Sequence, residues 1–332
     1  MSAIIDVHHH WIPQHQAKDL ARVVLPGQTV REMAPGTMGI FRGASMLFWC
    51  NEQISSVHRL VDNLDRCGIE RAVISASNWI EWLDLAMCRD LNDAMSELRA
   101  RLPDRVLTLA HIPIGEEGSL DELERCVSLG VSGVFTIVHL SRLGCSLDHP
   151  RLAPFYERVN ALGLPIIVHP ACEPLEYVDT TPSDRLPLSD HDLLTCYGRP
   201  YNTTVSVLRV LLSDLTDRFP RLRFIFPHFG GSFGLMKERI LSRYFDLGMR
   251  DKLERRLQHF WFDTAPPRWS QPECRCAVDT LGARRIMFGS DHPIANDYVD
   301  RAVRLIGSDV FTAEERRLIR RDNAAAFFRL SG

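Results

Sequence analysis

A closed (β/α)8 barrel is the fold class predicted for this 332-residue chain, and three features of the sequence predict it. Eight short β-branched runs alternate with stretches of helical periodicity, the pattern of βα units around a parallel sheet. No Gly-x-Gly-x-x-Gly turn follows the first run, which argues against an open doubly wound sheet. Several runs end on a polar, metal-competent side chain, and barrels assemble their sites at the C-terminal ends of their strands.

The elements follow in order. The first strand is Ile4–His10, where Ile4, Ile5 and Asp6 lead into Val7-His8-His9-His10. Further strands are expected at 71–75, 106–111, 133–139, 165–169, 222–228, 260–263 and 285–291. Helical periodicity covers 54–67, 85–102, 120–129, 153–162 and 205–219. Gly68, Gly130 and Gly163 each close a helix just before a strand, the position where glycine is preferred. Two connections are long. Residues 11–53, rich in Pro, Gly and aromatics, and 171–201, with several prolines, leave the C-terminal ends of the first and fifth strands. They are expected to be loop insertions capping the active face of one barrel domain spanning 1–332.

Composition excludes more than it identifies. Hydrophobic residues make up 45% and charged residues 24% of the chain, which is ordinary for a globular protein. Lys+Arg of 39 against Asp+Glu of 42 gives a net charge of −3, without a basic tract to follow a phosphate backbone, so no nucleic-acid partner is expected. The start, MSAIIDVHHH, lacks the basic n-region of a signal peptide, and no apolar stretch approaches the ~20 residues of a membrane span. Nine cysteines without a CxxC pair fit reduced thiols such as Cys67, Cys88 and Cys126, and hence a cytoplasmic location. Cys274 and Cys276 lie two apart on a helical stretch and face different sides.

The strand ends carry the chemistry. His8 and His10 are two apart on a strand and share a face, while His9 points away. His169 ends PIIVH, His228 ends LRFIFPH and Asp291 ends RIMFGSD. Imidazoles and a carboxylate converging at one barrel face suit a borderline divalent ion, zinc first and manganese second. His111 and His139 also end strand-like runs and are read as structural. His9, His15, His58, His149, His191 and His259 are read as surface or supporting residues. No GxSxG elbow, HExxH or GxxxxGK[ST] motif is present, and no organic cofactor is indicated.

In this order, DVHHH, VHP, PHFGG and FGSDHP resemble the amidohydrolase superfamily, in the decarboxylase branch that includes 2-amino-3-carboxymuconate-6-semialdehyde and γ-resorcylate decarboxylases. The resemblance extends through Phe219-Pro220-Arg221-Leu222-Arg223 and Asn323-Ala324-Ala325-Ala326-Phe327-Phe328. It implies that His8, His10, His169 and Asp291 bind one metal and that His228 acts in catalysis. It also implies that Arg42 and Arg239 hold a substrate carboxylate, Arg239 from the neighbouring subunit of a homodimer. Two-metal members bridge their ions with a carboxylated lysine, whereas Lys18, Lys237 and Lys252 here lie in loops or helices. Two residues depart from the family pattern beside the site and are expected to shape substrate choice. His292 follows Asp291 where many relatives have an aromatic residue, and Phe229 interrupts the usual His-Gly run.

The expected activity is non-oxidative decarboxylation of a small aromatic, heteroaromatic or muconate-semialdehyde-type carboxylic acid. The carbanion left by CO2 needs an electron sink and then a proton. His228 would orient or deprotonate water, or Asp291 would deliver the proton to carbon, and the sequence leaves both routes open. The alternative is a metal-dependent hydrolase or hydratase acting on a lactone, ester or amide. A non-enzymatic metal-binding protein is a third reading, which the long loops at the active face disfavour.

Overall fold

The computed structural model describes residues 3–18, 20, 23–172, 193–266, 268–293 and 298–330. Strand β1 (Ile4–His10) is buried along its whole length. That is why Ile4, Ile5 and Val7 do not alternate with exposed residues, and why even Asp6 is buried: a barrel stave is covered on both faces. Three strands, β2 (Gln28–Ala34), β3 (Thr37–Arg42) and β4 (Ser45–Cys50), form a separate antiparallel sheet. The barrel continues with β5 (Ile69–Ser75), β6 (Val106–Thr108), β7 (Ala110–His111) and β8 (Val134–Ile137). A small antiparallel pair, β9 (His139–Leu140) and β10 (Cys145–Ser146), follows the fourth stave in the chain. The remaining staves are β11 (Ile166–His169), β12 (Phe224–Phe226), β13 (Phe260–Asp263) and β14 (Ile286–Met287).

The third predicted strand, 106–111, is split. Its first half pairs in parallel with β5 and its second half with β8, so this one stave joins the two halves of the barrel. Closure comes from main-chain bonds between the first and last staves. Val7 N–H donates to Phe288 O (2.9 Å), Asp291 N–H to His8 O (2.9 Å) and His10 N–H to His292 O (2.8 Å). Among the described residues the parallel barrel is thus closed, and no stave is left as an edge strand. Phe224, Phe226, Phe260 and Phe262 are buried in the wall between staves and helices.

Two predicted strands run longer than the pairing. The chain leaves the ladder after Phe226 and after Met287, and His228, Phe229 and Asp291 then adopt positive φ (57°, 51° and 58°). These are sparsely allowed conformations for residues with a Cβ. The helix expected at 54–67 breaks at Ser56, whose extended backbone and hydroxyl cap Val57–Arg66 by accepting from Arg59 N–H. The helix expected from 205 begins at Arg199, ends at Leu212 and resumes as Leu215–Arg218. Gly68, Gly130 and Gly163 all take the left-handed conformation expected of a helix-terminating glycine.

Segment 11–53, read as loop, holds the antiparallel sheet. Its tight turns pass through Gly36 (φ 74°) and Gly43 (φ 58°), and it pairs Arg42 opposite Gln28 and Ser45. Trp79 Nε1–H donates to Gln16 Oε1 and Trp82 Nε1–H to Gln28 Oε1, each at 2.8 Å, tying this segment to the loop after β5. Of the second expected insertion, residues 173–192, His191 among them, lie outside the described residues. Among the described residues no helix is long and apolar enough to cross a membrane.

Candidate metal centre

Pleating of β1 sends His8 and His10 to one side and His9 to the other. His169 enters from the end of β11, and Asp291 from just beyond β14. One ligand atom from each of His8, His10, His169 and Asp291 lies within 4.8 Å of all the others, and all four residues are buried. His10 Nε2 stands 3.1 Å and His8 Nε2 3.5 Å from Asp291 Oδ1. The three imidazole centroids are 4.9–5.1 Å apart.

Outer contacts decide which ring nitrogen is free. His8 Nδ1 meets Asp263 Oδ2 at 2.7 Å, His10 Nδ1 meets Ser75 Oγ at 2.9 Å and His169 Nδ1 meets Pro170 O at 2.9 Å. Each ring therefore turns Nε2 inward, and a ligating histidine is normally held through its other nitrogen in this way. His8 Nε2 is buried without a hydrogen-bond partner. Three imidazole nitrogens and one carboxylate oxygen fit a borderline divalent ion.

The electrostatics favour a cation. Burial opposes charge on His8, yet Asp263 and Asp291 outweigh it and raise the ring to about 10. Burial, with the neighbouring imidazoles, holds His169 well below the ordinary histidine value, and burial likewise lowers His10. Although burial opposes its charge, Asp291 is held well below the usual carboxylate range by its contacts with His10 and His8.

His228 stands beside the four donors. Its ring stacks on His8 at 5.4 Å, and its Nε2 is 4.0 Å from Asp291 Oδ2. Burial lowers its pKa to about 4, so the imidazole is neutral at pH 7, and its Nε2 is buried without a hydrogen-bond partner.

A family model for amidohydrolases matches residues 5–330. The chain belongs to the amidohydrolase family. Among curated relatives, it is 29% identical over 262 residues to γ-resorcylate decarboxylase from Rhizobium radiobacter, covering 75% of this chain and 77% of that one. It is 26% identical over 242 residues to 2-keto-4-carboxy-3-hexenedioate hydratase from a Sphingobium strain, covering 63% and 60%. In fold it resembles the crystal structure of a dihydroxybenzoic acid decarboxylase from Polaromonas, solved with manganese and the inhibitor 2-nitroresorcinol. That match has a TM-score of 0.76 at 23% identity and covers 99% and 98% of the two chains.

The other expected site residues of this amidohydrolase barrel are not among the four clustered donors. Arg42 is half-buried at the end of β3, on the antiparallel sheet, with Nη1 3.4 Å from Pro26 O. Arg239 is exposed on the helix Phe233–Asp246. His292 was expected to shape the substrate pocket, but its ring packs on His9 at 4.9 Å and its Nε2 accepts from Asn63 Nδ2 at 3.0 Å. It shares the side of β1 that faces away from the donors, because the ladder bond from His10 N–H to His292 O fixes that register. Phe229, also expected beside the substrate, is fully buried against Trp269 at 5.3 Å. Its positive φ turns the side chain into the wall.

Three residues that support the site had no role in the sequence reading. Asp263 and Ser75 are the last residues of β13 and β5, so the strand-end rule that singled out the histidines reaches them too. Glu81 is buried and Oε1 accepts from Cys172 N–H at 2.7 Å, three residues beyond His169. Burial raises its pKa to about 7 against the hydrogen bonds it receives. No sequence pattern marks Glu81, whose burial is a tertiary property.

Proposed function

We propose that this amidohydrolase is a metal-dependent, non-oxidative carboxy-lyase acting on a small aromatic, heteroaromatic or muconate-semialdehyde-type acid. One divalent ion is held by His8, His10, His169 and Asp291, zinc by donor chemistry or manganese as in the Polaromonas relative. The observation that carries the reading is the pairing of that donor set with His228, a neutral, half-buried imidazole whose buried Nε2 has no hydrogen-bond partner and lies 4.0 Å from Asp291 Oδ2. When bound, the ion supplies Lewis-acid polarisation of a substrate or water oxygen. His228 Nε2 accepts or returns a proton next to that position, and Asp291 Oδ2 is the second group able to carry a proton to carbon. Arg42 and Arg239 are proposed to hold the substrate carboxylate, Arg239 across a homodimer interface, in a cytoplasmic enzyme. The resorcylate decarboxylase similarity supports this chemistry.

Metal analysis of gently purified protein is expected to find close to one equivalent of zinc or manganese per chain. Less than about a tenth of an equivalent, with activity indifferent to chelators, would remove the metal from the reading. A panel of hydroxybenzoates, picolinates and muconate semialdehydes run in D2O is expected to give CO2 and a product carrying one deuterium at the vacated carbon. The hydratase relative favours a second reading, in which His228 deprotonates water for addition to a double bond, lactone, ester or amide. Solvent oxygen in the product without CO2 release would select it.

A further inference from the structure

We propose that Asp263 is a positioning residue that fixes the ring of His8 and the backbone of His228 through the two oxygens of one carboxylate. The inference rests on the metal site proposed above. Oδ2 stands 2.7 Å from His8 Nδ1, while Oδ1 accepts from His228 N–H at 2.8 Å and from Ala265 N–H at 3.0 Å. Asp263 is 1% exposed, so water does not compete for these bonds.

The residue type follows from counting donors. For His8 to present a lone pair at Nε2, its Nδ1 must carry the proton and donate. The other two neighbours are backbone amides, which only donate. All three partners of Asp263 are therefore donors, spread over both oxygens, and an ionised carboxylate is the side chain that accepts on both sides. Neither of the other two rings is held in this way. His10 Nδ1 meets a hydroxyl, which can donate or accept, and His169 Nδ1 meets its neighbour's carbonyl.

The second oxygen reaches the proposed proton-transfer residue. His228 sits at φ 57°, a strained conformation that persists only where its surroundings hold it. The bond from its amide to Asp263 Oδ1 is one such restraint. It keeps the His228 ring stacked at 5.4 Å on the His8 ring that Oδ2 orients. One side chain thus sets the spacing between a metal ligand and the proton-transfer group.

Asp263→Asn is the isosteric test, because a carboxamide has one acceptor oxygen and must turn its NH2 toward a donor on one side. Mn2+ binding is read by the free-ion EPR signal, and amide exchange over 226–231 by mass spectrometry, both on the full chain. The variant is expected to bind Mn2+ about 10–100-fold more weakly, or to exchange those amides at least about tenfold faster if the amide turns the other way. A folded variant with both readouts within about twofold of wild type would overturn the proposal. Should it not fold, Asp263→Glu, which keeps two anionic acceptors, decides. Mn2+ affinity within about tenfold of wild type supports the proposal, and weaker binding or failure to fold overturns it. Wild type that binds neither Mn2+ nor Zn2+ would count against the metal site itself, a different failure from an indifferent Asn variant.

Discussion

At the scale of single residues, the five groups at the barrel mouth divide by what holds them. His8, His10 and His169 each commit Nδ1 to an outer partner, whereas the His228 ring is held by stacking and by its own backbone. That difference argues for catalysis by His228 and ligation by the others. His228→Ala is expected to lose about 10²–10⁴ in kcat while retaining close to one metal per chain, checked by parallel kinetics and metal analysis. Loss of metal together with activity would move His228 into the ligand set. A buried histidine outside the donor set places an acid limit on stability. His111 accepts from Ala76 N–H at Nε2 (3.0 Å) and donates from Nδ1 to Leu109 O, so its neutral form is built into the fold. Burial lowers it to about 3. Between its ordinary value near 6.5 and about 3 the unfolded chain binds a proton that the folded chain refuses. Stability is therefore expected to be full above pH ~6.5 and to fall with acidification by about 1.4 kcal/mol per unit from this group alone. Denaturant titrations at pH 7, 6 and 5 measure the slope, and a His111→Gln protein should show a shallower one.

At the scale of elements, β1 and β13 have the bounds expected from sequence, because buried β-branched and aromatic runs with polar ends leave little choice of register. Strands 222–228 and 285–291 were read too long for a physical reason. Apolar composition extends past the last ladder bond, and the positive φ of His228 and Asp291 depends on tertiary partners such as Asp263. The same local view missed the antiparallel sheet in 11–53, where Met-Gly-Ile-Phe and Met-Leu-Phe-Trp alternate only weakly. That sheet is seated by side chains distant in sequence. Trp79 is fully buried, stacks on Phe48 at 5.4 Å and donates to Gln16 Oε1. Trp79→Phe would leave that acceptor unpaired and open a small cavity, an expected loss of about 2–4 kcal/mol. Thermal melts should show the loss, while the metal content stays near wild type because no ligand rests on Trp79. Metal lost in proportion to stability would tie the seat of the sheet to the site itself.

At the scale of the whole molecule, the donors come from the first, fifth and last staves, with His228 from the sixth and Asp263 from the seventh. Barrel closure is therefore what brings them together, since the main-chain bonds from Val7, His10 and Asp291 and the bonds from Ser290 to Asp6 join β1 to the residues after β14. This part of the site was open to sequence reading, because the ligands lie at or just beyond the C-terminal ends of their strands, and barrel symmetry collects strand ends at one mouth. The arginines were not placed by that rule. Arg239 follows the sixth strand on a helix and is exposed, and it is not one of the four clustered donors. An arginine fork matches a carboxylate in a bidentate pair, and an exposed arginine contributes to a site of this depth only if a second copy brings its mouth to it. The homodimer proposal therefore makes a sharp demand. Arg239→Ala and His228→Ala chains, each inactive alone, are mixed and allowed to exchange subunits. In a mixed dimer one mouth keeps His228 of its own chain and receives the intact Arg239 from the other, so one site in two is whole. Up to about a quarter of wild-type activity is expected at a 1:1 mixture, since about half the dimers are hybrids and each has one complete site. No recovery, with subunit exchange verified by native mass spectrometry, would confine each site to a single chain and return Arg239 to the solvated surface.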